Sequence, residues 1–313
     1  MLKRETLLVL IPLQAPFVAA LSELYELIYE PAGHSEALWQ RLHGQPLRAV
    51  LTNGTTGFSE AQMALLPQLG QICSWGAGYE NIDVAAARAR GIAVSHAPGV
   101  NNATVADHAL ALMLGLSRGL VALDAAVKRG DWQTSRGERP TINGRRLGLL
   151  GMGNIGQQIA RRAAGFDMQI AYCTRTAKPE LPWRHVESVL ALAAESDYLV
   201  LACPGGAATR HLVNREALQA LGPEGFLVNI ARGSVVDTEA LIAALQADEI
   251  AGAALDVIDG EPVVPPALAA SGKVLLTPHV SGRSPEAQRA QLACAMGNLA
   301  AFFAARELLT PVP

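Results

Sequence analysis

The sequence predicts an α/β protein made of two doubly wound parallel-sheet domains. Three observations carry that prediction. Strand and helix signals alternate through the first hundred residues, a glycine motif at Gly151 opens a second alternating run, and 313 residues, 50% of them hydrophobic, suffice for two cores. Alternation of this kind implies parallel strands covered by helices on both faces.

In the first run the strand candidates are Leu7–Ile11, Leu27–Tyr29, Ala49–Thr52, Ile72–Ser74 and Ala93–Ser95, with helical stretches such as Ala15–Tyr25 and Glu60–Leu66 between them. Pro98-Gly99 closes this half. From Asn101 one long helix is expected to about Arg129, because Val105, Ala109, Leu112, Met113, Leu116, Leu120, Leu123 and Val127 exceed a single apolar stripe. A helix apolar on most sides must be buried on most sides, against two domains and a second subunit. Gly130–Thr141, polar and carrying Trp132, reads as a surface loop.

The second run shows six strand signals: Arg146–Leu150, Met168–Cys173, Tyr198–Ala202, Phe226–Ile230, Gly252–Val257 and Val274–Thr277. Six strands with the glycine motif after the first match a dinucleotide-binding sheet. A last helix, Glu286 to Ala305, is expected to return to the first domain. The expected domains are therefore 1–99 with 286–313, and 100–285.

The motif itself is Gly151-Met152-Gly153-Asn154-Ile155-Gly156, after an apolar run and before a helix-like segment. The first glycine allows a tight turn, the second lets a pyrophosphate approach the backbone, and the third lets helix pack on strand. The helix N-terminus then meets the phosphate charge. Where an NAD enzyme would carry an acid after the second strand, this chain has Thr174-Arg175-Thr176. A guanidinium suits a 2′-phosphate and offers a ribose hydroxyl no acceptor, so NADP(H) is the expected cofactor. Asp167, the rival acid, starts that strand and so lies roughly 15–20 Å from its carboxyl end.

Net charge −3 without a basic run argues against nucleic-acid binding. Cys73, Cys173, Cys203 and Cys294 are scattered, as expected of thiols in a reducing cytoplasm. No metal-ligand spacing is present. The N-terminus, Met1 to Thr6, runs straight into a strand that Pro12 cuts short, too short for a signal-peptide core. Asp107 and His108 interrupt the longest apolar helix, so no membrane span is expected.

Three polar groups follow late strands of the second run. Arg232 comes after Phe226–Ala231, Asp256 with Glu261 after Ala253–Leu255, and His279 after Val274–Pro278. Ligands of an open parallel sheet bind outside the carboxyl ends of its strands, so these side chains are expected at one crevice. An arginine takes a carboxylate through two parallel hydrogen bonds. A histidine exchanges the proton of a carbonyl/alcohol pair, with a glutamate setting its tautomer. Carboxylate, carbonyl and hydride donor in one cleft describe a 2-oxo acid reductase. The other histidines are expected to be structural; His108 belongs to a buried polar site rather than to the crevice.

The chain resembles the D-isomer-specific 2-hydroxyacid dehydrogenase family over essentially its whole length. The matching stretches are Gly76–Asp83, Thr104–His108, Gly151–Gly156, Asn229–Gly233, Leu255-Asp256-Val257 with Glu261-Pro262, and Thr277-Pro278-His279. It is most similar to the glyoxylate/hydroxypyruvate reductase branch, including plant hydroxyphenylpyruvate reductases, which share the hydroxyl-Arg-hydroxyl turn and a Leu-Leu-Thr-Pro-Val ending (Leu308 to Val312).

The resemblance implies a flavodoxin-like substrate domain beside a Rossmann domain, and homodimers through the long helix. It implies Arg232 as carboxylate binder, His279 as acid/base and Glu261 as its partner. Ala77 and Gly78 would offer amides to the substrate, the loop around Leu51 and Asn53 an opposite wall, and Asp256 a place beside the nicotinamide. Cofactor contacts are implied along Gly151–Gly156, at Thr174, Arg175 and Thr176, at Cys203 and Pro204, and at Ile230, Ala231, Arg232 and His279. One departure stands out: Gly205-Gly206-Ala207-Ala208-Thr209 replaces a Leu-Thr-Pro-type loop, expected to loosen adenine-side contacts while leaving the catalytic assignment intact.

The leading expectation is NADPH-dependent reduction of a small 2-oxo acid, of glyoxylate or hydroxypyruvate type, to the D-2-hydroxy acid. The alternatives are a reductase of bulkier acids such as hydroxyphenylpyruvate or 2-ketogluconate, and a non-catalytic nucleotide-sensing protein. The sensor would want partner-binding extensions that this sequence lacks. A phosphoglycerate dehydrogenase is disfavoured without a regulatory domain or an NAD-type acid.

Overall fold

The computed structural model describes residues 4–312. Met1–Lys3 and Pro313 lie outside the described residues, and with them the start of the N-terminal reading and the outer ends of the expected domain bounds. The chain divides into two compact units, with crossings at Asn101/Asn102 and Ser284/Pro285.

The first unit holds β1 (Thr6–Val9), α1 (Ala15–Leu24), β2 (Glu26–Tyr29), α2 (Glu36–Leu42), β3 (Ala49–Thr52), α3 (Glu60–Ala64), β4 (Gln71–Ser74), α4 (Val84–Ala89) and β5 (Ala93–Ser95). All pairings are parallel and the order is β2-β1-β3-β4-β5, the flavodoxin-like winding. Successive strand residues feed opposite faces, which is why these strands read as continuous apolar runs. Leu8, Val50 and Ile72 pack with Leu38, Phe58 and Met63; Leu7, Val9 and Leu51 pack with Phe17, Trp75 and Leu299.

The second unit holds α5 (Asn102–Arg118), α6 (Leu120–Lys128), β6 (Arg146–Leu150), α7 (Asn154–Ala164), β7 (Gln169–Cys173), β8 (Arg184–His185), α8 (Val189–Ala194), β9 (Tyr198–Leu201), α9 (Arg215–Leu221), β10 (Phe226–Asn229), α10 (Thr238–Gln246), β11 (Gly252–Leu255), α11 (Pro266–Ala269) and β12 (Val274–Leu276). Its seven parallel strands run β12-β11-β10-β9-β6-β7-β8. The order reverses at β6, which pairs with both β7 and β9. Leu147, Leu149, Tyr198 and Val200 join Ala109, Met113 and Ile159 on one face; Leu150, Leu199 and Leu201 join Leu192, Leu218 and Leu241 on the other. The final helix, α12 (Pro285–Phe303), belongs to the first unit and packs on β4 through Ala295 and Leu299.

Two expectations need correction. The long helix from Asn101 to Arg129 is two helices, α5 and α6, bent by 56° at Gly119. Gly119 sits at φ +64, a left-handed conformation that costs a residue with a Cβ about 1–2 kcal/mol. The second sheet also has seven strands rather than six, since β8 carries no hydrophobic signal. It is held by backbone pairing to β7 and by the Tyr172–His185 ring contact at 5.2 Å. Among the described residues no single helix is long and apolar enough to cross a membrane.

Candidate active site

The glycine turn lies at the β6 switch point. Gly151 adopts φ +103, and a Cβ there would stand 2.7 Å from the Ala202 carbonyl and the Cys203 nitrogen. A Cβ at Gly156 would lie 2.3 Å from Gly151 O, so only glycine lets α7 approach the strand. Gly153 differs: nothing lies within 4 Å of its missing Cβ, and as N-cap of α7 it caps no amide with a side chain. The orphan N–H groups of the first turn therefore face an open cradle, as a pyrophosphate requires. Met152 is buried and Asn154 exposed, with Ile155 between, so the loop offers backbone more than side chain.

After β7, the turn at Thr174 is anchored twice. His185 Nε2 donates to Thr174 O at 3.0 Å, and the Thr174 hydroxyl donates to Thr176 O at 2.7 Å. The Thr174 proton is thus spent on the turn, while Arg175 and Thr176 are exposed beyond it. Asp167 is exposed at the opposite end of the strand, beside Asn143. On the other flank of Gly151, burial pushes the Cys203 thiol up to about 11, so it stays protonated and unreactive. Pro204 is exposed and its carbonyl accepts from Thr209 Oγ1 at 2.8 Å.

Past β10, the buried Asn229 clamps the turn: its Oδ1 accepts from Ala231 N at 3.0 Å and its Nδ2 donates to Arg232 O at 3.0 Å. Ile230 and Ala231 are buried, and Arg232 emerges extended, half-buried, with Nη1 donating to Ala231 O at 2.6 Å. Gly205 lies against this arginine, since a Cβ there would come within 2.7 Å of Arg232 Cγ. The departure at Gly205 therefore bears on the Arg232 side chain itself.

His279 follows β12 in a loop wrapped around Asp256, the residue after β11. Thr277 Oγ1 donates to Asp256 Oδ1 at 2.6 Å, Val280 N to the same oxygen at 2.9 Å, and Ser281 N to Oδ2 at 3.0 Å. Burial opposes the charge of this carboxylate, but these donors outweigh it and hold the pKa below the ordinary value. His279 N bonds Asp256 O at 2.8 Å, and the residue adopts φ +52, a strain that the grip on both sides sustains. The His279 ring meets Glu261, with Nδ1 and Oε1 at 2.7 Å. A carboxylate only accepts, so Nδ1 carries the proton of this bond and Nε2 is the ring nitrogen away from Glu261. His108 donates from Nε2 to Thr277 Oγ1 at 3.1 Å, since that hydroxyl's own proton goes to Asp256. It completes a polar cluster behind the histidine loop.

In the first unit, Leu51 is 0% exposed within β3, so its side chain belongs to the core. Asn53 Oδ1 accepts Thr56 N at 2.7 Å, which leaves its Nδ2 without a protein partner among the described residues. The Ala77 and Gly78 amides likewise donate to no protein group among the described residues. No group of His, Cys, Asp and Glu that could hold a metal occurs among the described residues.

The family described as "D-isomer specific 2-hydroxyacid dehydrogenase, NAD binding domain" matches residues 110–281. The chain is 40% identical to a glyoxylate/hydroxypyruvate reductase A of Arabidopsis thaliana over 271 residues, 86% of this chain and 87% of the relative. This chain belongs to the D-isomer specific 2-hydroxyacid dehydrogenase family. Family membership places the glycine cradle in the NAD-binding domain and makes the chain an oxidoreductase of that class. It is also 38% identical to the hydroxyphenylpyruvate reductase of Plectranthus scutellarioides over 272 residues, 87% of each chain. Among solved structures, an NADPH-dependent glyoxylate/hydroxypyruvate reductase from Sinorhizobium meliloti, in complex with NADP and malonate, superposes with TM-score 0.88 at 35% identity, covering 99% of this chain and 97% of that one.

Asn229, Thr277 and the Val280 and Ser281 amides support the site, but no role for them was evident from the sequence. Their partners are backbone groups and a buried carboxylate, which pattern alone does not reveal.

Proposed function

We propose that this protein is an NADPH-dependent reductase of small 2-oxo acids of the glyoxylate/hydroxypyruvate type, yielding the D-2-hydroxy acid. The observation that carries the reading is the His279–Glu261 pair at 2.7 Å, with Nδ1 protonated and Nε2 left for a substrate oxygen. A bound reduced nicotinamide supplies the hydride. His279 Nε2–H donates to the carbonyl oxygen as negative charge develops there, and Glu261 stabilises the charged ring beforehand. Arg232 holds the carboxylate and so orients the carbonyl. Asp256 acts by holding the His279 loop. In the first unit, Ala77 and Gly78 supply amide donors to the carboxylate and the Asn53 amide a further polar contact, while Leu51 fixes the strand end before it.

The unit of residues 1–99 with 286–313 is the substrate domain in this reading, and 100–285 the NADP-binding domain. Arg175 takes the 2′-phosphate, and its exposure on an anchored turn, with Asp167 at the opposite end of β7, supports NADPH over NADH. The remaining cofactor contacts are the Gly151–Gly156 loop, Thr174, Thr176, Cys203, Pro204, Ile230, Ala231, Asp256 and His279, mostly through backbone. The protein works as a cytoplasmic homodimer with no nucleic-acid or membrane partner. Free thiols at Cys73, Cys173, Cys203 and Cys294 support the compartment. Exposed Leu120, Val121 and Val127 on α6, none of whose residues is buried, support the dimer. Similarity to a hydroxyphenylpyruvate reductase favours a second reading, in which the acid is bulkier. Steady-state assays of glyoxylate, hydroxypyruvate and hydroxyphenylpyruvate with NADPH and NADH test both: a preference for hydroxyphenylpyruvate replaces the first by the second, and inactivity with all three overturns them together.

A further inference from the structure

The Leu308–Val312 segment is absorbed by neither the fold of the sheet nor the chemistry above. It lies beside β5, the edge strand of the first sheet, with an antiparallel bridge between Ser95 and Pro311 and Val312 N donating to Val94 O at 2.8 Å. Its centre is Thr310. The Thr310 hydroxyl donates to His96 O at 2.5 Å and accepts from Asn298 Nδ2 at 2.8 Å; His96 N returns a bond to Thr310 O at 3.2 Å. Asn298, on α12, is fully buried, and its Oδ1 takes Thr310 N at 3.1 Å. His96 is thereby held at both its backbone polar groups.

What His96 holds in turn is the loop after β4. His96 Nδ1 donates to Ala77 O at 2.9 Å, and the next residue, Ala97, donates from N to Gly76 O at 2.8 Å. A trans peptide unit is planar, with C=O and N–H pointing opposite ways. Fixing Gly76 O therefore aims the Ala77 N–H, and fixing Ala77 O aims the Gly78 N–H. These are the two amides that no protein acceptor takes up among the described residues.

We propose that Thr310, acting through His96, is a positioning residue for substrate: the Leu308–Val312 segment sets the direction of the Ala77 and Gly78 amides that receive the 2-oxo acid carboxylate. The carboxylate role of those amides rests on the function proposed above; the mechanical coupling does not. Thr310→Val keeps the shape and removes the hydroxyl, whereas Thr310→Ser keeps the hydroxyl. Hydrogen exchange of the Ala97 amide, which donates to Gly76 O, reads the coupling without any activity. In Thr310→Val this exchange rises about tenfold, and KM for the 2-oxo acid rises about fivefold or more with kcat nearly unchanged, the pattern of lost uniform binding. NADPH affinity, read by fluorescence titration, stays at the wild-type value, and Thr310→Ser restores both readouts. Raised exchange with unchanged KM supports the coupling and overturns the carboxylate role of the amides. Ala97 exchange in Thr310→Val equal to wild type overturns the inference.

Discussion

At the scale of single residues, the site depends on three contacts of different kinds. Removing the His279 ring takes away the proton donor, so His279→Ala lowers kcat by roughly 10²–10⁴-fold. NADPH affinity survives, because the glycine cradle and Arg175 are untouched; a fully active variant contradicts the acid/base role. Arg175→Ala removes a charge-assisted contact of roughly 1.5–3 kcal/mol, which predicts about a ten- to hundredfold loss of kcat/KM with NADPH and little change with NADH. Equal losses with both cofactors contradict the 2′-phosphate role. Asp256 contributes a pH dependence to stability. Its folded-state pKa is depressed, so its contribution to stability is complete above the ordinary carboxylate value of 3.8 and is lost as pH falls through the folded value. Asp256→Asn is accordingly less stable than wild type near neutrality, and the gap narrows once pH drops below about 4, as urea midpoints across pH would register. A gap that widens with acid contradicts the sign. The positions of Arg232, Asp256 and His279 were legible, because the strand ends that carry them follow clear apolar runs. The residues that hold the loops were not, since Asn229, Thr277, His96 and Thr310 act on backbone groups and a buried carboxylate whose positions exist only after folding.

At the scale of elements, sequence and structure part company where the hydrophobic signal is weak or local geometry overrides it. The strands Ala49–Thr52, Ala93–Ser95 and Arg146–Leu150 fall where the apolar runs place them. Arg184–His185 does not announce itself, because two polar residues at a sheet edge carry no period. The break at Gly119 is hidden for the opposite reason, since Ala and Leu on both sides keep the helical pattern continuous through it. Gly119→Ala tests which influence prevails. A Cβ there meets only the flexible end of Arg139, at 3.1 Å, so the cost comes from φ rather than from crowding. Strain of about 1–2 kcal/mol outweighs the propensity gain of roughly 1 kcal/mol, so urea unfolding shows a lower midpoint. A raised midpoint means the helix straightens instead.

At the scale of the whole molecule, the exposed Leu120, Val121 and Val127 of α6 bear on assembly. Sedimentation is expected to show a species of twice 32.9 kDa at micromolar concentration, and Val121→Glu on α6 to shift it toward one copy. A wild-type protein that sediments only as a single copy contradicts the homodimer. In the proposed function the His279–Glu261 pair serves NADPH-dependent reduction of a 2-oxo acid. The most direct measurement is NADPH consumption by wild type and His279→Ala with glyoxylate and with hydroxypyruvate, accompanied by NADPH affinity for each protein. Wild type is expected to turn over both acids, the variant to lose roughly 10²–10⁴-fold, and NADPH affinity to be equal in the two. Wild-type protein that binds NADPH yet reduces neither acid would contradict the proposed function.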